Sequence, residues 1–322
     1  MKHVFVIHSH ITFLVAMGTV DLLKLSQSQV IFLYGRNYRI SCIKVPYRTI
    51  DISSFYRPSP TYLFNCFQQW KYIRKVDKFI FNEIADSYYV YIPHTGFEIF
   101  QILLTHPLCK GLNLIQEGAV TYFTRRVKWR SVVKNIITIF NKRTWYQSNW
   151  FIPKRFYREK KTVRTFACNE RFFLPLNKAR NFVIKLPSYT LNIHIQETNP
   201  IFVFETAVEV KLIDRDIYME ACRKMIRECA RENNYVKFHP NQSEANKETI
   251  RSFFAGVHYQ ELSMDIPFEL ILSSYANLTV CGFTSSLMFF AKELGHETKN
   301  YTSELTKRSR KFASYVHSMH HE

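Results

Sequence analysis

Short apolar runs of strand length alternate with longer segments of helical periodicity through most of this 322-residue chain. In the first 120 residues the strand-like runs lie at 4–7, 30–34, 88–92 and 112–115, and the helical segments at 11–25, 61–75 and 95–106. After residue 162 the pattern resumes, with strands at 162–168, 201–204, 235–238 and 278–281 and helices at 214–232, 250–254, 266–275 and 285–294. Such alternation predicts an α/β fold with parallel sheets covered by helices on both faces.

The length of the chain fits two domains of ordinary size, and we expect both to be doubly wound and Rossmann-like. The first is predicted over residues 1–175 and the second over residues 176–300, with residues 181–186 as a connector. A basic tail or helix is predicted over residues 301–322.

The chain carries a large positive charge, since 44 Lys and Arg face 26 Asp and Glu and give +18 at pH 7. A surplus of this size indicates a partner rich in negative charge, such as nucleic acid, anionic lipid, or a nucleotide-activated or acidic-polymer substrate. The apolar fraction of 47% and the charged fraction of 22% exclude an intrinsically disordered chain.

Residues 125–161 form a basic segment with twelve Lys or Arg, one acid and three of the four tryptophans. Two interpretations stay open: a helix that lies in a membrane interface, and a basic helix packed on its own domain with a solvated face. We expect this segment to belong to the first domain and to contact the acceptor or a membrane through Arg125, Arg126, Lys128, Trp129 and Arg130.

The seven cysteines are dispersed, and none forms a C-x-x-C pair. This pattern predicts reduced thiols in a reducing compartment, and we expect neither disulfides nor a metal site. The first apolar run is too short for a signal peptide, and no stretch approaches the roughly 20 apolar residues of a membrane-spanning helix. We therefore expect a cytoplasmic or peripheral protein.

Three polar clusters each close an apolar run: Gln116-Glu117-Gly118, Lys237-Phe238-His239-Pro240 and Gly282-Phe283-Thr284-Ser285-Ser286. In an open α/β sheet, ligands bind outside the carboxyl ends of the strands. An acid, an imidazole and a hydroxyl-rich turn are thereby predicted to meet in one crevice. The set suits transfer of a group from an activated phosphate donor to a hydroxyl.

Each cluster has a chemical and a purely structural interpretation. The Glu117 carboxylate could accept a hydroxyl proton or be an ordinary turn residue, and the His239 imidazole could serve a leaving phosphate or merely end a strand. Strand period places Lys237 on the same side as His239. Hydroxyls and free amides at 284–286 could bind phosphate at a helix N-terminus or simply cap that helix.

In order and spacing, these clusters resemble the motifs of the bacterial sialyltransferases and polysialyltransferases of the GT-B type. The matching positions are Gln116-Glu117-Gly118, His239-Pro240 and Ser285-Ser286, and residues 6–9 resemble the family's first strand and loop. The resemblance implies a GT-B fold with the active cleft between two Rossmann-like domains, of which the first (1–175) binds the acceptor and the second (176–300) binds the nucleotide-sugar donor. It also implies that Glu117 is the general base, that His239 binds or protonates the departing CMP phosphate, and that the two serines hold phosphate oxygens.

The implied reaction is inverting, metal-independent transfer of sialic acid, or a related nonulosonic acid, from a CMP-activated donor to a hydroxyl of a bacterial surface glycan such as capsule or lipooligosaccharide. The implied partners are CMP-sialic acid, a glycan acceptor and an anionic surface on the inner face of the bacterial cytoplasmic membrane, with no cofactor and no nucleic acid. Further donor contacts are expected from Ser9, Lys237, Pro240, Glu261, Phe268, Gly282 and Thr284, with Glu205 and Thr206 as additional candidates.

One position departs from the family, which has an acid where this chain has Gln116; we favour Glu117 as the base for that reason. A second transferase class is also compatible, because polymerases that use CDP-glycerol carry a Lys-x-His-Pro element and a Ser-Ser turn. A third reading is a basic polyanion-binding protein without catalysis.

Overall fold

The computed structural model describes residues 1–56, 66–94, 97–118, 162–170, 172–173 and 180–321. The chain divides into two compact units. The first contains residues 1–39 and 44–186, and the second contains residues 40–43 and 187–322.

Within its described residues, the first unit holds a parallel sheet of seven strands in the order β3-β2-β1-β4-β5-β6-β7. Its strands and helices are β1 (Lys2–Ile7), α1 (His10–Leu23), β2 (Val30–Tyr34), β3 (Arg48–Asp51), α2 (Cys66–Phe79), β4 (Tyr88–Ile92), α3 (Glu98–Thr105), β5 (Cys109–Ile115), β6 (Thr162–Ala167) and β7 (Asn181–Val183). The strand order reverses direction between β1 and β4, which is where open α/β sheets form ligand crevices.

Within its described residues, the second unit holds a parallel sheet of five strands in the order β10-β9-β8-β11-β12. Its elements are β8 (Ile201–Val203), α4 (Arg215–Cys229), β9 (Asn233–Lys237), α5 (Glu244–Ser252), β10 (His258–Glu261), α6 (Phe268–Ser274), β11 (Thr279–Gly282), α7 (Ser286–Glu293), β12 (Glu297–Asn300), α8 (Thr302–Thr306) and α9 (Arg310–His321). Here the order reverses between β8 and β11. The predicted α/β class, with two doubly wound Rossmann-like domains, is confirmed by these two sheets.

The start of the chain shows how local sequence builds the fold. Residues 4–7 are buried on both faces of the sheet, as expected for a central parallel strand. Ser9 then caps α1 in a capping box with Thr12, which turns the chain into the helix directly after the strand. The Phe5 ring stacks on Tyr91 of β4 with centroids 4.0 Å apart, so the two strands that flank the reversal point share one core.

Two predicted boundaries differ from the structure. The first unit extends to Leu186 rather than to residue 175, because β7 pairs with β6 and adds a strand where a connector was expected. The predicted tail consists of α8 and α9, which belong to the second unit because Leu305 and Phe312 are buried in its core. The basic segment 125–161 lies outside the described residues. No helix among the described residues has the length and apolar character that crossing a bilayer would require.

Candidate active-site residues of the two units

Glu117 lies two residues beyond β5 in the first unit, and its neighbour Gln116 fixes its direction. The Gln116 side chain is fully buried, with Oε1 accepting a hydrogen bond from the Cys168 backbone N–H at 2.9 Å and Nε2 donating to the Gly118 carbonyl at 3.5 Å. Gln116 therefore anchors the turn to the sheet. Glu117 is one residue further along and keeps a side chain that is 32% exposed.

Two histidines from neighbouring strand ends meet the Glu117 carboxylate. His8 follows β1, and its Nε2 lies 2.8 Å from Glu117 Oε1 with the ring side chain fully buried. His94 follows β4, and its Nε2 lies 3.4 Å from Glu117 Oε2 with 21% of the side chain exposed. The three groups come from β1, β4 and β5, so they surround the reversal point of the first sheet.

The His8 ring is held on its other side by Tyr56. The Tyr56 hydroxyl lies 3.4 Å from His8 Nδ1. Tyr56 can come this close because position 35 is glycine: a Cβ there would lie 2.1 Å from the Tyr56 ring. His8 Nε2 lies 2.8 Å from the Glu117 carboxylate, which is within hydrogen-bonding distance. Among the described residues it nevertheless makes no hydrogen bond, because the angle between the two groups is unfavourable.

The side chains around Glu117 keep its carboxyl ionised. Burial raises the pKa of Glu117, but the contacts with His8, His94 and Arg36 outweigh burial and leave the pKa below its usual value. Arg36 contributes from 3.8 Å, with its guanidinium 5.5 Å from the centre of the Phe97 ring. Burial lowers the pKa of His94 to about 4, against the opposing effect of Glu117, so this imidazole is neutral at pH 7.

Sequence analysis identified Glu117 and Ser9 in this region and missed His8, His94 and Arg36. The sequence did hold a signal for the two histidines. His8 stands directly after one predicted core strand, and His94 stands two residues after another. Which strands are neighbours could not be deduced from their order in the chain, since β1 lies between β2 and β4. Ser9 itself accepts a hydrogen bond from the Thr12 N–H, so the structure gives it a capping role.

His239 lies two residues beyond β9 in the second unit, and the backbone fixes its tautomer. The Asn241 backbone N–H donates to His239 Nδ1 at 3.1 Å, so a neutral ring must carry its proton on Nε2. Burial lowers the pKa of His239, and the carboxylate of Glu209 opposes that shift. The ring therefore presents an Nε2–H donor. Pro240, which follows, is exposed.

Two glutamates that follow β8 have opposite environments. Glu205 Oε1 is enclosed without a hydrogen-bond partner among the described residues, and burial raises the pKa of Glu205 to about 8. Glu209 Oε1 accepts hydrogen bonds from the Ser243 N–H and from Asn246 Nδ2, both at 2.8 Å. Burial raises the pKa of Glu209, but these hydrogen bonds outweigh it and lower the pKa. Glu205 is thus neutral at pH 7, and Glu209 is ionised.

The turn after β11 brings the predicted hydroxyls to the start of α7. Ser285 is the N-cap, and its Oγ accepts a hydrogen bond from the Met288 N–H at 3.3 Å. Ser286 is exposed at the first helical position, and the Thr284 hydroxyl is hydrogen-bonded to Thr302. A Cβ on Gly282 would lie 3.1 Å from the Val203 carbonyl oxygen, so glycine allows β11 and β8 to approach closely.

Three other predicted donor contacts have structural partners. The buried Lys237 ammonium donates to the carbonyl oxygens of Ser263 and Ile266, which ties β9 to the following loop. Glu261 lies on the edge strand β10 in a two-point ion pair with Arg251. Phe268 is 2% exposed at the start of α6. These placements favour structural roles for Lys237, Glu261 and Phe268. Donor binding by the three residues stays a prediction.

The acceptor or membrane contacts predicted at Arg125, Arg126, Lys128, Trp129 and Arg130 lie outside the described residues. Within the described residues, one group combines three side chains of metal-ligating type, namely His8, His94 and Glu117.

Comparisons with known proteins place the fold. No protein-family model and no curated protein sequence matches the chain. A protein from Listeria monocytogenes assigned as a UDP-N-acetylglucosamine 2-epimerase has a similar structure, with a TM-score of 0.51 and 13% identity over 93% of this chain and 78% of that one. A sialyltransferase from Photobacterium damsela gives a TM-score of 0.49 at 12% identity, over 90% of this chain and 71% of that one. A Neisseria meningitidis UDP-GlcNAc 2-epimerase bound to UDP-GlcNAc gives 0.47 at 12% identity, over 92% and 82%. At 13% identity, the likeness to the Listeria protein shows a shared fold and nothing more.

Proposed function

We propose that this protein is an inverting glycosyltransferase that moves a sugar from a nucleotide-activated donor to a hydroxyl group. The observation that carries the proposal is the set of side chains that contact the Glu117 carboxylate. Two imidazoles and a guanidinium hold its carboxyl ionised at the reversal point of the first sheet, while a third of its side chain remains exposed. A partly exposed, ionised carboxylate at that place suits a general base.

In the proposed reaction the acceptor hydroxyl gives its proton to the Glu117 carboxylate. At the same time the hydroxyl oxygen forms a bond to the anomeric carbon of the donor sugar. The bond between that carbon and the donor phosphate breaks, and the nucleotide leaves with the bonding electrons. His8 is fully buried, so it positions Glu117 and does not meet the substrate. Transfer is expected to need no metal, because the base and the phosphate-binding donors are protein groups.

The second unit is proposed to bind the donor phosphate. His239 presents Nε2–H, because the Asn241 N–H occupies Nδ1. The Ser286 hydroxyl and the free amides at the start of α7 supply further donors beside β11. Donors aimed at the leaving oxygen stabilise the charge that develops there, and removing one such donor costs about 10²–10³ in kcat.

We further propose that the donor is CMP-sialic acid or a related CMP-nonulosonic acid, and that the acceptor is a bacterial surface glycan at an anionic membrane. The support is the order of the Glu-Gly, His-Pro and Ser-Ser motifs along the chain. A donor screen decides the point: CMP-sialic acid, CDP-glycerol and UDP-GlcNAc are each incubated with a mixture of glycan acceptors, and release of free nucleotide is measured. Release of nucleotide from CDP-glycerol or from UDP-GlcNAc, with none from CMP-sialic acid, would overturn the CMP-sugar assignment.

The roles are tested with paired isosteric variants. Glu117→Gln keeps the shape but loses the base, and we expect transfer to fall by about 10²–10⁴-fold. His239→Asn retains an acceptor for the Asn241 N–H but loses the outer donor, whereas His239→Gln retains a donor at the outer position. Transfer should therefore survive better in His239→Gln, and equal activity of the two variants would contradict the assigned tautomer.

A further inference from the structure

We propose that Nε2 of His8, Nε2 of His94 and the Glu117 carboxylate form a binding site for a divalent transition-metal ion of the zinc class, and that the bound ion inhibits the enzyme. The binding part of this proposal stands on the geometry of the first unit alone. The inhibitory part rests on the proposed function, because a metal-bound carboxylate cannot accept a proton from the acceptor.

The first support is the convergence of three ligand atoms. One atom from each side chain lies within 4.8 Å of the other two. With bonds of about 2.0–2.1 Å, the ligand atoms of a tetrahedral zinc site are roughly 3.3 Å apart. The contacts of 2.8 Å for His8 and 3.4 Å for His94 lie on either side of that value, so small movements would complete the site.

The second support is the unsatisfied state of the buried ring. His8 Nε2 is fully enclosed and has no aligned hydrogen-bond partner among the described residues, although the carboxylate oxygen is only 2.8 Å away. A buried polar nitrogen in this state lowers the stability of the fold. A cation shared by the ring and the carboxylate would satisfy both groups.

The third support is the rigidity of the frame. The three ligands follow three adjacent parallel strands, and sites on such elements hold their geometry better than sites on loops. Tyr56 contacts the opposite nitrogen of His8, as the outer partners of metal-bound histidines commonly do. Two imidazoles and one carboxylate favour Zn²⁺, Co²⁺ or Ni²⁺ over Mg²⁺ and Ca²⁺, which prefer oxygen ligands.

The positive charge of Arg36 repels a bound cation, so a variant without this charge is diagnostic for the site. Its guanidinium lies 3.8 Å from Glu117 Oε1, but 52% of its side chain is exposed and it can move toward solvent. Replacing it by glutamine removes the repulsion and leaves the three ligands in place. We expect Arg36→Gln to bind the ion about threefold to tenfold more tightly, whereas loss of a ligand weakens binding.

The experiment is a titration of the full chain with Co²⁺, followed by visible absorption, and with Zn²⁺ in competition. The histidines near the C-terminus, His317, His320 and His321, could also bind these ions, so the titration uses a background in which all three are asparagine. We expect one equivalent to bind. His94→Gln and Glu117→Gln should each weaken binding about 10- to 100-fold. His258→Gln, at an exposed site in the second unit, is the matched control and should bind as the background does.

Circular dichroism confirms that each variant is folded. His94→Gln is the deciding variant, since its partly exposed side chain makes misfolding less of a concern than at the buried His8. Unchanged titration of both ligand variants overturns the site. Where transfer is measurable, Zn²⁺ should abolish it and EDTA should restore it, and activation by Zn²⁺ would overturn the inhibitory part. If no donor is turned over, the proposed function fails while the Co²⁺ titration still decides the metal site.

Discussion

Replacing Glu205 by glutamine should stabilise the second unit, and only at neutral to alkaline pH. The Glu205 carboxyl is enclosed at Oε1 without a hydrogen-bond partner among the described residues, and burial raises its pKa from 4.5 to about 8. Below pH 4.5 the carboxyl is protonated in both the folded and the unfolded state, so burial of the charge costs nothing. Above that pH the unfolded chain ionises first, and stability falls until the pH passes about 8.

The size of the effect follows from the shift in pKa. Each unit corresponds to about 1.4 kcal/mol, so the rise from 4.5 to about 8 means that the ionised Glu205 lowers the free energy of unfolding above pH 8 by at most roughly 5 kcal/mol. Relaxation and water penetration reduce such values, and we expect Glu205→Gln to gain about 2–4 kcal/mol at pH 9 and almost nothing at pH 4. The gain at pH 7 should be intermediate.

The assay can isolate the second unit. All four tryptophans precede residue 187, at positions 70, 129, 145 and 150, so tryptophan emission reports the first unit and far-ultraviolet circular dichroism reports both. Urea unfolding at pH 4, 7 and 9 should show a shift in the dichroism transition that the fluorescence transition does not share. This separation is needed because a two-domain chain need not unfold in one step.

Glu209→Gln is the matched control, four residues away on the same connection. Its carboxylate accepts two hydrogen bonds and its pKa is lowered, so its ionised form stabilises the fold above pH 4.5 and that contribution is lost as the pH falls. Glu209→Gln should therefore destabilise by about 1 kcal/mol at pH 7. A Glu205→Gln gain that is independent of pH, or an equal gain in Glu209→Gln, would refute the reasoning.

Three further variants test individual contacts. Gly282→Ala should destabilise the second unit by about 1–3 kcal/mol in urea unfolding, because the new Cβ would lie 3.1 Å from the Val203 carbonyl oxygen; an unchanged midpoint would contradict this. Lys237→Met leaves two backbone carbonyls without the ammonium group that bonds them, and it should lower the free energy of unfolding by roughly 2 kcal/mol. The KM for the nucleotide sugar should change by less than about threefold, and a larger change would instead support a role of Lys237 in binding that substrate. Gln116→Glu should cost roughly 2 kcal/mol or more without raising transfer, because it places a charge at a fully buried position; a gain in activity would return the base to the first motif position.

The central strands and the polar turns could be predicted from the sequence because both depend on local patterns. Central parallel strands are buried on both faces and read as apolar runs, as residues 4–7 and 30–34 do. A polar residue directly after such a run must lie at the carboxyl edge of a sheet. This is why Glu117 and His239 could be placed at strand ends without a structure.

Edge strands and neighbours across the sheet could not be predicted. β3, β10 and β12 pair on one side only and are largely exposed or half-buried, so their sequences lack the apolar run that marks a central strand. The strand β7 has only three residues and was predicted as a connector for the same reason. The meeting of His8 with Glu117 depends on strand order, which connects residues more than 100 positions apart.

The two carboxyl groups at the reversal points of the two sheets are held in opposite charge states, and this contrast bears on mechanism. Contacts with two imidazoles and a guanidinium keep Glu117 ionised, whereas burial keeps Glu205 neutral, with Oε1 unpartnered among the described residues. An ionised carboxylate can take a proton, and a neutral carboxyl can donate a hydrogen bond to a phosphate or sugar oxygen. A buried group that lowers stability persists where function requires it. Glu205→Gln retains an N–H donor, so transfer should survive in that variant, whereas Glu205→Ala, which lacks any donor, should lose it; equal activity in the two variants would show that the buried carboxyl has no part in transfer.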